Sequence, residues 1–124
     1  MRKKINEIER THIKYDVIEY FLKNEGIIQN QMIVDHINRK IGSGDYGKGY
    51  NTPMSQIKMR TIINMIRANA ELPICSTRDG YYLSYKQEDI HKTIQSLKRR
   101  IASIHQAILG LSKMLIRKYT HYDF

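Results

Sequence analysis

Gln56, Lys58, Arg60, Thr61, Asn64 and Arg67 fall within twelve residues and bring together two kinds of chemical group. Lysine and arginine neutralise phosphate, while amides and hydroxyls hydrogen-bond the edges of bases, so this mixture suits a helix laid against nucleic acid. Placing Met59, Ile62, Ile63 and Ile66 inward, at i, i+3, i+4 and i+7, turns Ile57, Thr61 and Asn64 outward with Lys58, Arg60 and Arg67 on the flanks. Gln56, near the helix start, is placed to read a base edge as well. Arg78 sits at the tip of an Arg78-Asp79-Gly80 turn, where it would touch a phosphate or the minor groove. Lys48 lies in a glycine-rich loop that reads first as a plain linker, with Lys48 and the backbone amides skimming DNA phosphate as the next reading. A solvated face that happens to be basic is the bland reading of the whole set.

Other chemistries find less support. Gly42-Ser43-Gly44-Asp45-Tyr46-Gly47 fits G-x-G-x-x-G literally, and Gly42 to Gly49 nearly fits the phosphate loop, with Lys48 present but Gly49 where a hydroxyl should hold magnesium. Both motifs need a strand before them and a helix N-terminus after them, whereas here a helix ends at the motif, so nucleotide binding is not expected. His12, His36, His91, His105 and His121 show no ligand spacing, and Cys75 has no partner for a disulfide or a zinc cluster. No catalytic constellation can be assembled, and no metal or cofactor is expected.

The charge balance points the same way as the first cluster. A formal charge of +9 and a pI near 9.7 favour a polyanionic partner, because each neutralised phosphate releases condensed counterions. Residues 81–124 hold eight Lys and Arg against three Asp and Glu, whereas residues 11–42 are balanced. The partner should therefore meet the middle and the end of the chain. An anionic membrane is the rival, but no apolar run approaches the ~18 residues that cross a bilayer and no signal peptide opens the chain. The expected location is cytoplasmic, with no membrane partner.

Four helices and a hairpin must position these groups. Thr11 to Lys23 carries Ile13, Val17, Ile18 and Phe21 on one face and stops at Asn24-Glu25-Gly26. After an extended Ile27-Ile28-Gln29, Asn30 caps a second helix with Ile33, Val34, Ile37 and Ile41 inward and Gly42 at its end. A long loop runs to Pro53, and the third helix spans Ser55 to about Asn69. Pro73 to Thr77 and Tyr81 to Tyr85 are β-prone runs joined by a glycine-containing turn, which reads as a hairpin. Along its second strand Tyr81 and Tyr85 share a face opposite Tyr82; covering the helical core is the leading role for these rings, and stacking on bases the alternative. Three short helices followed by a hairpin is the layout of a winged helix-turn-helix, in which the third helix enters the major groove and the hairpin lies on flanking backbone.

The last third reads as an assembly device. Ile90, Ile94, Leu97, Ile101, Ile104, Ile108, Leu111 and Leu115 follow steps of four and three in strict alternation, a heptad seam. With Ile94, Ile101, Ile108 and Leu115 at a, the e and g sites hold Lys98, His105, Ser112 and Thr93, Arg100, Ala107, Met114, which form no salt-bridge code. A homo-oligomer is expected, a dimer favoured, with packing back onto the head as the alternative. The expected segments are a basic arm at 1–10, with joining the first helix as the alternative, a winged-helix domain at 11–86, an oligomerisation helix at 87–118 and a frayed tail at 119–124.

Three motifs then carry a family likeness. Arg60-x-Ile62-Ile63-x-x-Ile66-Arg67, followed by Pro73-Ile74-Cys75-Ser76 and Gly80-Tyr81-Tyr82-Leu83, resembles small winged-helix proteins of bacteriophages and bacterial mobile elements. The likeness covers residues 11–110 in layout and 59–83 in motif. Those proteins commonly carry a glycine just before the Pro-Ile-Cys-Ser piece, where this chain has Asn69-Ala70-Glu71-Leu72. The resemblance implies a mainly α fold with a small hairpin, and double-stranded DNA binding in transcription control or DNA replication within the host bacterial cytoplasm. It adds no catalytic residue. A second class fits outward Ile57 and Met65 instead: an interaction module, adaptor or inhibitor, that captures a host protein through the third and last helices.

Overall fold

The computed structural model describes residues 5–123, with side chains through 118. A π-helical turn, Glu9–Ile13, leads into α1 (Lys14–Lys23), followed by α2 (Asn30–Gly42), α3 (Gln56–Ala68), β1 (Ile74–Thr77), β2 (Gly80–Leu83) and α4 (Gln87–Asp123). The chain is mainly helical with one small antiparallel sheet. It divides into two compact units, residues 1–90 and 91–124.

Apolar periodicity builds the first unit. Ile13, Val17 and Phe21 of the first helix meet Ile33, Val34, Ile37 and Ile41 of α2 and Met59, Ile62, Ile63 and Ile66 of α3, all buried. Recurrence at three- and four-residue steps puts one stripe of each helix into a common core. Leu72, Ile74, Ile28 and Met54 close it from the connecting segments.

The first helix starts earlier than its apolar period suggests. Asn6 Oδ1 accepts from Glu9 N at 2.8 Å, and Glu9 Oε1 accepts from Asn6 N at 2.9 Å, a reciprocal capping pair that satisfies two end donors. Residues 7–10 are thus helical, with Glu9 buried, so this part of the arm joins the first helix; residues 1–4 lie outside the described residues. α2 also starts differently. Gln29 occupies the cap position, and the Asn30 amide instead donates to the Gln56 carbonyl at 3.1 Å, tying the starts of α2 and α3 together. Ser55 caps α3 by accepting from Lys58 N.

α3 ends in a left-handed turn. Glu71 N donates to Ile66 O at 3.1 Å and Ala70 N to Arg67 O at 3.0 Å, the paired bonds of a Schellman stop, with Ala70 at φ +54° where glycine is usual. Glu71, just beyond, pairs with Lys14 Nζ at 2.9 Å.

The hairpin registers Ile74 against Leu83, Cys75 against Tyr82, Ser76 against Tyr81 and Thr77 against Gly80, leaving Arg78 and Asp79 as its loop. Ile28 adds a short third edge: Ile28 N donates to Tyr81 O at 2.7 Å and Tyr81 N to Ile28 O at 2.8 Å. Gly80 makes that approach possible, since a Cβ there would lie 2.5 Å from the Ile28 carbonyl oxygen.

α4 runs 37 residues, which is about 55 Å at the usual helical rise. Ser84 Oγ donates to Asp89 Oδ2 at 2.7 Å and accepts from Lys86 N, securing its first turn. The backbone stays helical through Asp123, where a frayed tail was expected from residue 119; the side chains of 119–124 lie outside the described residues. Ile94, Ile101, Ile104, Ile108, Leu111 and Leu115 are exposed, while Ile90 and Leu97 are half-buried.

Candidate nucleic-acid interface

α3 buries most of its circumference. The strip that remains open holds Gln56, Ile57, Arg60, Asn64 and Ala68. Arg60 is exposed and forms no ion pair with the described residues. Gln56 is held from the neighbouring helix: its Nε2 donates to Gln31 Oε1, and Gln31 Nε2 donates to Asp35 Oδ1 at 2.7 Å. This chain of amides fixes the side-chain plane of Gln56 before any ligand arrives. Gln31 is a residue that reading α3 alone does not reveal, because its role comes from the close starts of two helices.

Three residues expected on this surface are turned elsewhere. Lys58 points away from the strip and reaches Glu9, its Nζ 2.6 Å from Oε2, with the carboxylate only 1% exposed and the lysine side chain 12%. Tyr50 Oη donates to the same oxygen at 3.3 Å. Burial makes this pairing obligatory, since an unpaired carboxylate in a core is costly, and Lys58 is thereby removed from the set of phosphate ligands. Thr61 is buried, and its hydroxyl donates back to Ile57 O at 3.2 Å, so it presents nothing outward. Arg67 anchors the hairpin to α3: Nε donates to Ile74 O at 2.8 Å and the guanidinium lies 5.5 Å from the Tyr81 ring centroid. Its Nη1 also donates to Asn64 Oδ1 at 3.3 Å, and Asn64 is exposed.

Arg78 lies exposed at the hairpin loop, as its place in the turn suggests. Below it the hairpin rings divide their work. Tyr81 packs edge-on to Phe21 with centroids 6.4 Å apart and covers the core, whereas Tyr85 is 72% exposed. Tyr82 lies on the other face, where burial and then the nearby Asp89 push its phenol up.

The loop carrying Lys48 is anchored and is no simple linker. Tyr46 Oη donates to Asp16 Oδ2 at 2.5 Å, and Met54 N donates to Asn38 Oδ1 at 2.8 Å with the Asn38 amide returning to Met54 O. Lys40 lies within 3.8 Å of Asp16 and 3.6 Å of Asp45, closing the base of the loop. Lys48 is exposed and lines an open groove of about 520 Å³ with Asn38, Gly44, Tyr50 and Asn51. The glycines follow the end of a helix, α2, where a phosphate loop follows a strand, so the geometry differs.

Lys48, Gln56, Arg60, Asn64 and Arg78 thus offer open polar groups on the first unit, while Lys58, Thr61 and Arg67 serve its interior. Neither a family model nor a curated protein nor a solved structure matches this chain.

Proposed function

We propose that this chain is a winged helix-turn-helix protein that binds double-stranded DNA, with α3 in the major groove and the hairpin as wing. The observation that carries the reading is the open strip of α3, where a pre-oriented amide, a guanidinium without an ion pair among the described residues and an exposed amide lie in succession at Gln56, Arg60 and Asn64. Arginine and asparagine or glutamine are the side chains best shaped to read guanine and adenine edges. The order helix, short edge strand, helix, helix, hairpin is that of a winged domain, and it supports the same assignment. Arg78 and Lys48 then supply backbone contacts. The reading includes no catalysis and no cofactor.

In this reading α4 joins two protomers through its seam, which would double the number of half-sites. The resemblance of residues 59–83 to phage and mobile-element proteins supports a role in transcription control or replication in a bacterial host cell. The test is duplex binding measured across salt, with wild type against Arg60→Ala and Arg78→Ala. Loss of preference among duplex sequences in Arg60→Ala supports the groove contact; preference unaltered in that variant removes it.

A second reading rests on Ile57, which is 49% exposed within the same strip. An isoleucine there suits capture of a host protein as an adaptor or inhibitor. Ile57→Ser separates the two, since it would abolish protein capture and leave salt-dependent duplex binding nearly intact.

A further inference from the structure

Between Asp89 and Asp123 the chain has no aspartate or glutamate and seven lysines and arginines. All seven lie on α4 and all are exposed. None takes part in the ion pairs formed among the described residues. A solvated helix usually interleaves glutamate with lysine at i, i+4, each pair worth a few tenths of a kcal/mol. α4 forgoes that support over this length and accepts self-repulsion instead.

The cations are also arranged. At about 100° per residue, Lys92, Arg99, Lys113 and Arg117 fall within roughly 60° of one another, on the side opposite the Ile101 and Ile108 stripe. Lys98, Arg100 and Lys118 flank them. From Lys92 to Arg117 the line runs about 38 Å, along which a duplex would present a phosphate charge every ~1.7 Å of its axis. Pairing the apolar stripe with a second copy would leave this line facing solvent.

We propose that Lys92, Arg99, Lys113 and Arg117 form a second, sequence-independent contact for the phosphate backbone of double-stranded DNA, distinct from α3. The proposal takes its partner class from the reading of the chain as a DNA-binding protein and adds a surface to it. An anionic bilayer is the competing polyanion, and two features disfavour it. A helix lying on a bilayer buries its apolar stripe and is anchored by aromatic rings, and α4 carries Tyr119 and Tyr122 only in its last turns, beyond the stripe. The stripe moreover repeats every 3.5 residues, the period of paired helices.

The test uses the full chain and a Lys92→Gln, Arg99→Gln, Lys113→Gln, Arg117→Gln variant, glutamine keeping helix propensity close to that of the residues it replaces. Circular dichroism and sedimentation establish that fold and mass are retained. Affinity for a random-sequence 30-base-pair duplex is followed from 50 to 300 mM NaCl. The variant is expected to lose roughly three to four units of the log–log salt slope, at about 0.9 per phosphate contact, and at least tenfold in affinity at 150 mM. Arg60→Ala with Arg78→Ala should lose no more than about two units. An unchanged slope in the quadruple variant overturns the α4 surface and leaves the α3 reading standing. Absence of duplex binding by the wild type at any salt overturns both. Binding to phosphatidylglycerol vesicles that disappears in the quadruple variant, with duplex binding untouched, overturns the DNA assignment of this surface in favour of lipid.

Discussion

Lys58 Nζ lies 2.6 Å from Glu9 Oε2, in a pocket where the carboxylate is closed to solvent. The pair joins the first helix to α3, and Tyr50 brings the loop to the same oxygen. Lys58→Ala leaves a buried charge alone, so a loss of about 3–5 kcal/mol is expected in urea denaturation. Replacing both members, Lys58→Met with Glu9→Gln, should recover much of that loss, because no charge then remains uncompensated. A Lys58→Ala protein of wild-type stability and reduced DNA affinity would return Lys58 to the phosphate contacts.

Ala70 holds φ +54°, a conformation that costs an L-residue roughly 1–2 kcal/mol. Ala70→Gly removes the Cβ conflict, at the expense of greater freedom in the unfolded chain. The expected net gain is about 0.5–1 kcal/mol, read as a rise in the unfolding midpoint with unchanged slope.

Gly80 has the opposite sensitivity. A methyl group at this position meets the Ile28 carbonyl oxygen at 2.5 Å and its carbon at 2.9 Å, both backbone atoms that cannot rotate away. Gly80→Ala should cost at least about 2 kcal/mol and speed amide exchange at Ile28 and Tyr81, whose mutual bonds would part.

Stability should decline toward both pH extremes. Burial, then Lys40 and Arg39, holds the His36 imidazole below its ordinary 6.5. The unfolded chain therefore binds this proton first, and stability falls as pH drops below about 6.5. Tyr46 is raised above its ordinary 10.0 by burial and by its bond to Asp16. Above about pH 10 the unfolded phenol ionises while the folded one keeps its proton, so stability falls as pH rises. Urea midpoints at pH 5, 7 and 10.5 should show both slopes. His36→Gln should flatten the acid limb, and Tyr46→Phe should reduce the alkaline one without abolishing it, since Tyr50 and Tyr82 are raised too.

Ile101 is 66% exposed in the middle of the α4 seam. An aspartate there would face its own copy in a paired helix, so Ile101→Asp should reduce the sedimenting mass to that of one 14.7 kDa chain. Equal monomeric masses for variant and wild type would remove the pairing.

The apolar periods located the three short helices and almost the whole core, because burial repeats with helical geometry and leaves that rhythm in the residues. The hairpin was legible for a similar local reason, its turn residues lying between two β-prone runs. The polar residues of α3 were less readable. Lys58, Thr61 and Arg67 differ from Arg60 and Asn64 only through tertiary neighbours, Glu9 for the lysine and Ile74 with Tyr81 for the arginine, and no local pattern records them. One clue to Glu9 was present in Asn6-x-x-Glu9, the spacing of a capping box, although it does not precede a regular apolar run. The anchoring of the Lys48 loop depends on tyrosines whose partners lie on α1 and its leading turn, so composition alone suggested a linker.

The wide turn at Glu9–Ile13 means that the first helix carries one surplus residue, absorbed locally as a bulge. Removing solvent-facing Arg10 would let that turn tighten to ordinary pitch while Asn6 and Val17 keep their azimuths. The same excision at Glu19, in regular helix, would rotate everything upstream by about 100° and tear the Glu9 carboxylate from its lysine. A single-codon deletion scan through the π-helical turn and α1 should therefore find its tolerant spot at the wide turn and intolerance along α1.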